Sequence, residues 1–360
     1  MKQFFCKTRM VSGAGSLAFL AQLHIKRLLI VADPFFLNNG TVNHVSHISK
    51  AEHTAVFSKV APDPSVALAA EGTQLVQAFQ PDTILALGGG SAMDCAKAMA
   101  YFSGLDLQLV AVPTTSGSGS EVTDFSILTH AGVKHPLVDA KLQPDIAILD
   151  SDLLSSLPKK LIAETGFDLI CHAVEAWAAT GASPFTDALC LEALRIAFAQ
   201  LPKSYAGDQN ARLPIHMAAT MAGMAFSSAG LGICHGLSHA LGGEFHTSHG
   251  TLNAIVLPAV MECNAETALH RYAALSRHLG FSTGADPLAL RGLKNNLLRL
   301  RRELALPATL AEAGIDPAFV TQKADRLVAA ALADPCCATN PVKPQAQQLH
   351  RILREVMGRG

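Results

Sequence analysis

Residues 83–97 read TILALGGGSAMDCAK, an apolar run that ends in three glycines and continues into an amphipathic segment. The run predicts a strand covered on both faces, and Ser91 near a helix cap predicts that a helix starts here. Glycine lets the backbone approach a ligand closely, and the free N–H groups of a helix start attract phosphate. A tight turn without a ligand is the alternative, because the G-x-G-x-x-G fingerprint is absent.

A second loop of the same kind, PTTSGSGSE at residues 113–121, follows the apolar run 109–112. Loops after parallel strands emerge at the carboxyl edge of the sheet, where ligands usually bind. Two such loops predict a dinucleotide site. The candidate contacts in them are Gly88, Gly89, Gly90, Ser91, Thr114, Thr115, Ser116, Gly117 and Ser118.

Asp33 ends another apolar run, residues 27–33, and belongs to the same predicted edge. A carboxylate there bonds ribose hydroxyls and repels a 2'-phosphate, which favours NAD over NADP. The alternative is a strand-end turn residue before Pro34.

The predicted architecture changes near residue 150. Strand-like runs occur up to that point, and several are apolar throughout, as in a parallel sheet covered by helices. They span residues 27–33, 54–57, 83–87, 109–112 and 146–149. Segments rich in Ala, Leu and Met follow, without strand signals. The fold class expected is α/β plus all-α, with a Rossmann-like dinucleotide-binding domain at 1–153 and an all-helical metal-binding domain at 154–360.

The composition excludes several classes of protein. Of 360 residues, 49% are hydrophobic and 16% charged, as in a well-packed enzyme. A net charge of -1 gives no basic field for nucleic acid or anionic lipid. We read no secretory signal, so a cytoplasmic location with reduced cysteines is expected. The uncharged residues 213–243 are long enough to cross a membrane, but their Ala, Gly, Ser, Thr and His content favours a buried central helix or helix pair.

Two clusters of candidate metal ligands lie in the second half. Asp168 and His172 are four residues apart, which places them on one face of a helix. The segment 234–250 then carries four histidines, which are the commonest protein ligands for metals, at positions His235, His239, His246 and His249. One carboxylate with three imidazoles suits Fe(II) or Zn(II). Spacing alone does not select three of the four histidines.

These motifs together resemble the iron-containing (group III) alcohol dehydrogenases over nearly the whole chain. The two glycine-rich loops, with Asp94 and Lys97, are similar to the family's nucleotide loops. The segments 166–176 and 229–250 are similar to its two metal signatures. The resemblance implies a dehydroquinate synthase-like fold and an NAD(H)-linked, Fe(2+)-dependent interconversion of short-chain primary alcohols and aldehydes.

The resemblance also assigns individual residues. It makes Asp168, His172, His235 and His249 the metal ligands and His239 an unligated catalytic histidine near the nicotinamide. It further implies that Asp33 selects NAD, Asp94 and Lys134 contact the nucleotide, and Phe226 lines the substrate pocket. His246 matches no family ligand and is expected to be structural or to lie behind the ligands. Ser118 and Asp63 depart from the usual Thr and Asn.

Finer details resemble the propanol dehydrogenases of propanediol utilisation, which recycle NADH inside bacterial microcompartments. They include residues 101–103, 175–177, 242–246 and 306–307. The resemblance implies a homodimer or higher homo-oligomer, with other microcompartment enzymes as partners. Two alternatives remain: a zinc-dependent lyase or polyol dehydrogenase on the same fold, and a non-catalytic metal or nucleotide binder.

Overall fold

The computed structural model describes residues 2–130 and 133–358, except the side chain of Val133. The chain forms two compact units. The first is Phe5–Leu157, and the second begins at Pro158 and includes the N-terminal residues up to Phe4.

The first unit is built on a parallel sheet of six strands in the order β1-β8-β5-β4-β2-β3. A separate antiparallel pair, β6 and β7, forms a second sheet. The strands are β1 (Arg9–Ser12), β2 (Arg27–Ala32), β3 (His53–Phe57), β4 (Thr83–Gly88), β5 (Gln108–Pro113), β6 (Phe125–His130), β7 (Val133–Val138) and β8 (Ile146–Leu149). The helices are α1 (Pro34–Asn38), α2 (Thr41–Ser49), α3 (Val66–Phe79) and α4 (Gly90–Ser103).

The four inner strands of the sheet, β8, β5, β4 and β2, are buried on both faces. Ile30 and Leu85 belong to one hydrophobic cluster, whereas Leu29 and Ile84 belong to a second cluster on the other face. This alternation along continuously apolar strands is the pattern of a sheet covered by helices. The predicted fold class is therefore confirmed in this half.

The sheet order reverses next to β2. The chain leaves β2 for β3 on one side and returns to β4 on the other, so β2 and β4 flank a topological switch point. Ligands of open α/β sheets bind outside the carboxyl ends of the strands at such a point. Of the predicted nucleotide residues, Asp33 follows β2 directly, Gly88 ends β4, and Gly89 and Gly90 come directly after it.

The second unit is helical in its described residues, as predicted. Its helices are α5 (Lys159–Ala178), α6 (Pro184–Ala206), α7 (Arg212–Ala229), α8 (Ile233–Phe245), α9 (His249–His278), α10 (Asp286–Glu303), α11 (Pro317–Ala333) and α12 (Ala346–Val356). Helix α5 is buried along almost all its length and packs against α6, α7 and α9. Helix α8 packs against α9 and α11.

The uncharged segment 213–243 folds into α7 and α8, as predicted, and most of its side chains are buried. Among the described helices, none is by itself long and apolar enough to span a membrane. Residues 209–229 and 233–245 reach that length and composition only as a pair bent by 106°.

Candidate active site

Three histidine side chains converge on one carboxylate oxygen in the helical unit. The Nε2 atoms of His172, His235 and His249 lie 3.9, 4.0 and 3.6 Å from Asp168 Oδ1. Ligand atoms that each lie about 2.0–2.2 Å from one ion are about 3–4 Å apart, so each of the three distances to Asp168 suits a shared metal ion. The ligand atoms of Asp168, His172 and His235 all lie within 4.8 Å of one another.

Three helices bring these side chains together. Asp168 and His172 lie one turn apart on α5, His235 is in the first turn of α8, and His249 begins α9. The side chain of His249 is 28% exposed, against 2% for His235. Solvent therefore reaches the cluster from the His249 side.

Burial keeps His235 in the form that a metal requires. Desolvation lowers its pKa well below the ordinary value, and the neighbouring His172 and His239 act in the same direction. Its Nε2 atom has no hydrogen-bond partner among the described residues, nor has Nδ1 of His172. A buried neutral imidazole whose nitrogen lacks a partner fits a bound cation.

Glu175 holds His235 in place, a role that could not be assigned from the sequence. Its carboxylate accepts hydrogen bonds from His235 Nδ1 at 2.5 Å and from the backbone N–H groups of Cys234 and His235 at 2.8 and 3.4 Å. It therefore caps α8 and fixes the His235 tautomer, leaving Nε2 directed at the cluster. Burial raises the pKa of Glu175 to about 7, although these hydrogen bonds oppose the shift.

Asn253 is a second residue that the sequence did not reveal. Its Nδ2 atom donates to Asp168 Oδ1 at 2.7 Å, and the residue is fully buried in α9. Both Glu175 and Asn253 act on ligands from other helices.

His239 lies one turn after His235 and has a different partner. Its Nδ1 atom is 2.8 Å from Asp334 Oδ2, and its ring stacks on His249 with centroids 5.0 Å apart. Burial raises the pKa of Asp334, but the hydrogen bond to His239 and two from Cys336 outweigh it and lower the pKa to about 2. A carboxylate at Nδ1 holds the proton there and leaves Nε2 as the exchanging atom.

The remaining predicted residues of this unit have clear positions. Phe226 on α7 stacks on the His172 ring, with centroids 4.4 Å apart, and so forms an apolar wall beside the cluster. His246 is exposed, adopts a left-handed conformation with φ 54°, and donates its backbone N–H to Gly242 as the C-cap of α8. His246 therefore ends helix α8.

The two predicted nucleotide loops pack against each other. A Cβ on Gly89 would lie 3.2 Å from Thr115 Oγ1, and one on Gly90 would lie 3.3 Å from Ser118 Cβ. Gly89 caps α4, so Ser91 is the second residue of the helix. Side chains at these glycines would fill the space where a phosphate meets the helix N-terminus.

Charged side chains accompany the loops. Asp33 caps α1, and its Oδ1 accepts from the Phe35 backbone N–H at 2.8 Å. Lys134 pairs with Asp63 at 2.7 Å. Asp94 is buried, with no hydrogen-bond partner for Oδ1 among the described residues, and burial raises its pKa despite the nearby Lys97. An unpartnered buried carboxylate oxygen beside the loops fits a polar ligand such as a dinucleotide.

Comparison with protein families accounts for both units. A model described as iron-containing alcohol dehydrogenase matches residues 7–151, and one described as the C-terminal part of the Fe-containing alcohol dehydrogenase family matches residues 162–357. The chain belongs to the iron-containing alcohol dehydrogenases. The predicted family, an oxidoreductase with iron and NAD as cofactors, is confirmed.

Relatives within the iron-containing alcohol dehydrogenases span the whole chain. A 1-propanol dehydrogenase of Citrobacter freundii is 40% identical, covering 99% of this chain and 100% of the relative. An NADPH-dependent butanol dehydrogenase of Clostridium saccharobutylicum is 35% identical, covering 98% and 97%. An iron-containing alcohol dehydrogenase structure from Thermococcus thioreducens matches with a TM-score of 0.92 at 33% identity, covering 98% and 99%.

Proposed function

We propose that this iron-containing alcohol dehydrogenase interconverts short-chain primary alcohols and aldehydes with NAD(H), and that Asp168, His172, His235 and His249 hold Fe(2+). The observation that carries the proposal is the convergence of three Nε2 atoms on Asp168 Oδ1 within 4.0 Å. The same donors accept Zn(2+), since one carboxylate and three imidazoles suit either ion.

Each residue around the histidine cluster has a separate role in the proposed reaction. A metal ion held there supplies Lewis-acid chemistry to the alcohol–aldehyde pair. Phe226 provides an apolar surface for the alkyl part of the substrate. His239 moves the proton at Nε2 while Asp334 holds the proton on Nδ1. NAD(H) bound at the glycine-rich loops would supply the hydride chemistry, which belongs to the cofactor.

We assign cofactor binding to the α/β domain, residues 1–153, and metal binding to residues 154–360. Gly88, Gly89, Gly90, Ser91 and Asp94 form the first part of the cofactor site. The second loop contributes Thr114, Thr115, Ser116, Gly117 and Ser118. Lys134 adds a positive charge that Asp63 orients.

Asp33 decides between NAD and NADP in this proposal. Its carboxylate follows β2 at the switch point and would face a 2'-phosphate with like charge, a repulsion of about 4 kcal/mol at 4 Å near a protein surface. We expect Asp33→Ser to raise the NADPH-to-NADH ratio of kcat/KM at least about tenfold. Measurement of kcat/KM with both cofactors checks this, and Asp106→Ser, which changes a carboxylate outside the two loops and outside α4, serves as the control. An unchanged ratio would remove Asp33 from cofactor selection.

We propose propanal/1-propanol and acetaldehyde/ethanol as substrates. The full-length similarity to a 1-propanol dehydrogenase supports this choice. The test follows NADH absorbance with iron-loaded protein and aldehydes of two to six carbons, with glycerol as a polyol control. Highest kcat/KM with the two- and three-carbon aldehydes supports the proposal. Turnover confined to glycerol, or none with iron and NAD bound, contradicts it.

We further propose that the enzyme regenerates NAD in a catabolic pathway as a cytoplasmic homo-oligomer inside a bacterial microcompartment. The similarity to the 1-propanol dehydrogenases supports this location. Purified microcompartments should contain the protein at a higher specific amount than the surrounding lysate. Equal amounts in both fractions would place the enzyme outside the compartment.

A further inference from the structure

Two buried thiols meet behind the histidine cluster. Cys171 on α5 precedes the proposed ligand His172, and Cys234 on α8 precedes His235. Their Sγ atoms are 3.3 Å apart, and both side chains are fully buried. The proposed dehydrogenase chemistry uses neither thiol.

Two further donor atoms lie close to the thiol of Cys171. Cys171 Sγ lies 3.9 Å from His235 Nδ1, the ring nitrogen opposite the one directed at Asp168. Glu175 Oε2 is 2.5 Å from the same Nδ1. Ligand atoms of Cys171, Glu175 and His235 all lie within 4.8 Å of one another.

The spacing and chemistry of these donors suit a soft cation. Ligand atoms about 2.0–2.3 Å from a tetrahedral zinc ion are about 3.3–3.8 Å apart. The distances from Cys171 Sγ to Cys234 Sγ and to His235 Nδ1 are close to this range. Thiolate donors select Zn²⁺-like ions, whereas the carboxylate and imidazoles around Asp168 are a harder set.

We propose that Cys171, Cys234, Glu175 and His235 Nδ1 form a second metal site, selective for thiophilic divalent cations such as Zn²⁺ and Cd²⁺. Binding of the cation replaces the two S–H bonds and the Nδ1–H bond of His235 by bonds to the ion, and the three protons are released to solvent. The ion then shares the imidazole of His235 with the proposed iron cluster and removes the hydrogen bond by which Glu175 holds that ring. Thiophilic cations therefore inhibit the dehydrogenase through this site.

The test titrates metal-free, full-length protein with CdCl₂ and follows the ultraviolet charge-transfer absorption of cadmium–thiolate bonds. We expect a saturable band in the unmodified protein, and its loss in both Cys171→Ala and Cys234→Ala. Cys190→Ala, which removes another buried cysteine on α6, keeps the band. Cys171→Ser and Cys234→Ser preserve the side-chain volume and replace any alanine variant that does not fold.

One further variant separates this inference from the proposed function. Asp168→Ala disrupts the proposed iron site but leaves the four donors in place, so the cadmium–thiolate band should persist in it. The cadmium–thiolate band alone tests the second metal site, independently of the result of the dehydrogenase assay. Absence of a band in the unmodified protein, or a band that survives in both the Cys171 and Cys234 variants, would overturn it.

Discussion

At the scale of single residues, the proposed metal ligands depend on partners that hold their rings and oxygens. His235 is held by Glu175, and Asp168 accepts a hydrogen bond from Asn253. His239 is held in the same way by Asp334. Such partners fix the tautomer and orientation of a ligand, and their loss typically lowers metal affinity.

Replacing Glu175 tests this dependence. The Glu175 carboxylate now accepts hydrogen bonds from three N–H groups. In Glu175→Gln the amide NH2 group would face one of these N–H groups, and two donors cannot form a hydrogen bond. We expect iron affinity to fall about 10–100-fold, measured by competition with a chromophoric chelator. Glu192→Gln, which alters an exposed carboxylate paired with Arg195, should bind iron like the unmodified protein. Equal affinity in the two variants would contradict a positioning role for Glu175.

Asp94 gives a prediction about pH. Burial raises its folded-state pKa above the unfolded value, so the folded state binds more protons and the free energy of unfolding falls as pH rises from about 4 towards neutrality. Lys97, whose pKa burial lowers, has the opposite effect only at higher pH, and Lys134 and Asp63 are the other charges acting on Asp94.

Asp94→Asn removes the Asp94 contribution. The unmodified protein should lose stability between pH 5 and pH 7.5, and the variant should not lose this contribution. The free energy of unfolding of the cofactor-free variant, minus that of the unmodified protein, should therefore rise by at least about 1 kcal/mol over this range, because one pKa unit corresponds to about 1.4 kcal/mol. Urea unfolding at both pH values measures the difference. A stability difference that does not change with pH would show that Asp94 titrates normally.

At the scale of elements, close backbone contacts between helices determine where the ligands lie. A Cβ on Gly250 would lie 2.0 Å from the Glu164 carbonyl oxygen, so α9 starts directly against the backbone of α5. Ser248 and Thr251 strengthen this contact through hydrogen bonds to the Glu164 carboxylate at 2.7 and 3.0 Å. The arrangement brings His249 to Asp168.

Gly250→Ala should therefore affect both stability and the metal. The new methyl group must push α9 away from α5, which costs about 1–3 kcal/mol and displaces His249. Denaturant unfolding and iron content measure the two effects. Gly242→Ala provides the control, because its Cβ would meet its nearest neighbours at 3.5 and 3.6 Å, an ordinary contact. If both variants keep iron and stability, this packing does not place His249.

Elements with strong local patterns could be predicted from the sequence. The five predicted strands correspond to β2, β3, β4, β5 and β8, because each has a run of apolar residues. The short strand β1 was missed because Arg9–Ser12 is mostly exposed and pairs only with β8, far along the chain. The pair β6 and β7 was also missed, because histidines, Lys134 and Pro136 interrupt any run of apolar residues in it.

At the scale of the whole molecule, the family and its fold were predictable, because glycine loops and histidine clusters are local signals. The spacing of Asp168 and His172 indicated a shared face. It did not show which of the four later histidines bind the metal, and only the resemblance to the family selected His235 and His249. Contacts between distant residues could not be predicted: Glu175 meets His235 across 60 positions, and Asp334 meets His239 across 95.

The central claim is that one carboxylate and three imidazoles hold the iron that the dehydrogenase requires. Iron analysis combined with NADH-dependent reduction of propanal, on purified His235→Ala beside the unmodified enzyme, tests it most directly. We expect about one iron per unmodified chain, and loss of both iron and turnover in the variant. A variant that keeps its iron and full turnover would contradict the claim.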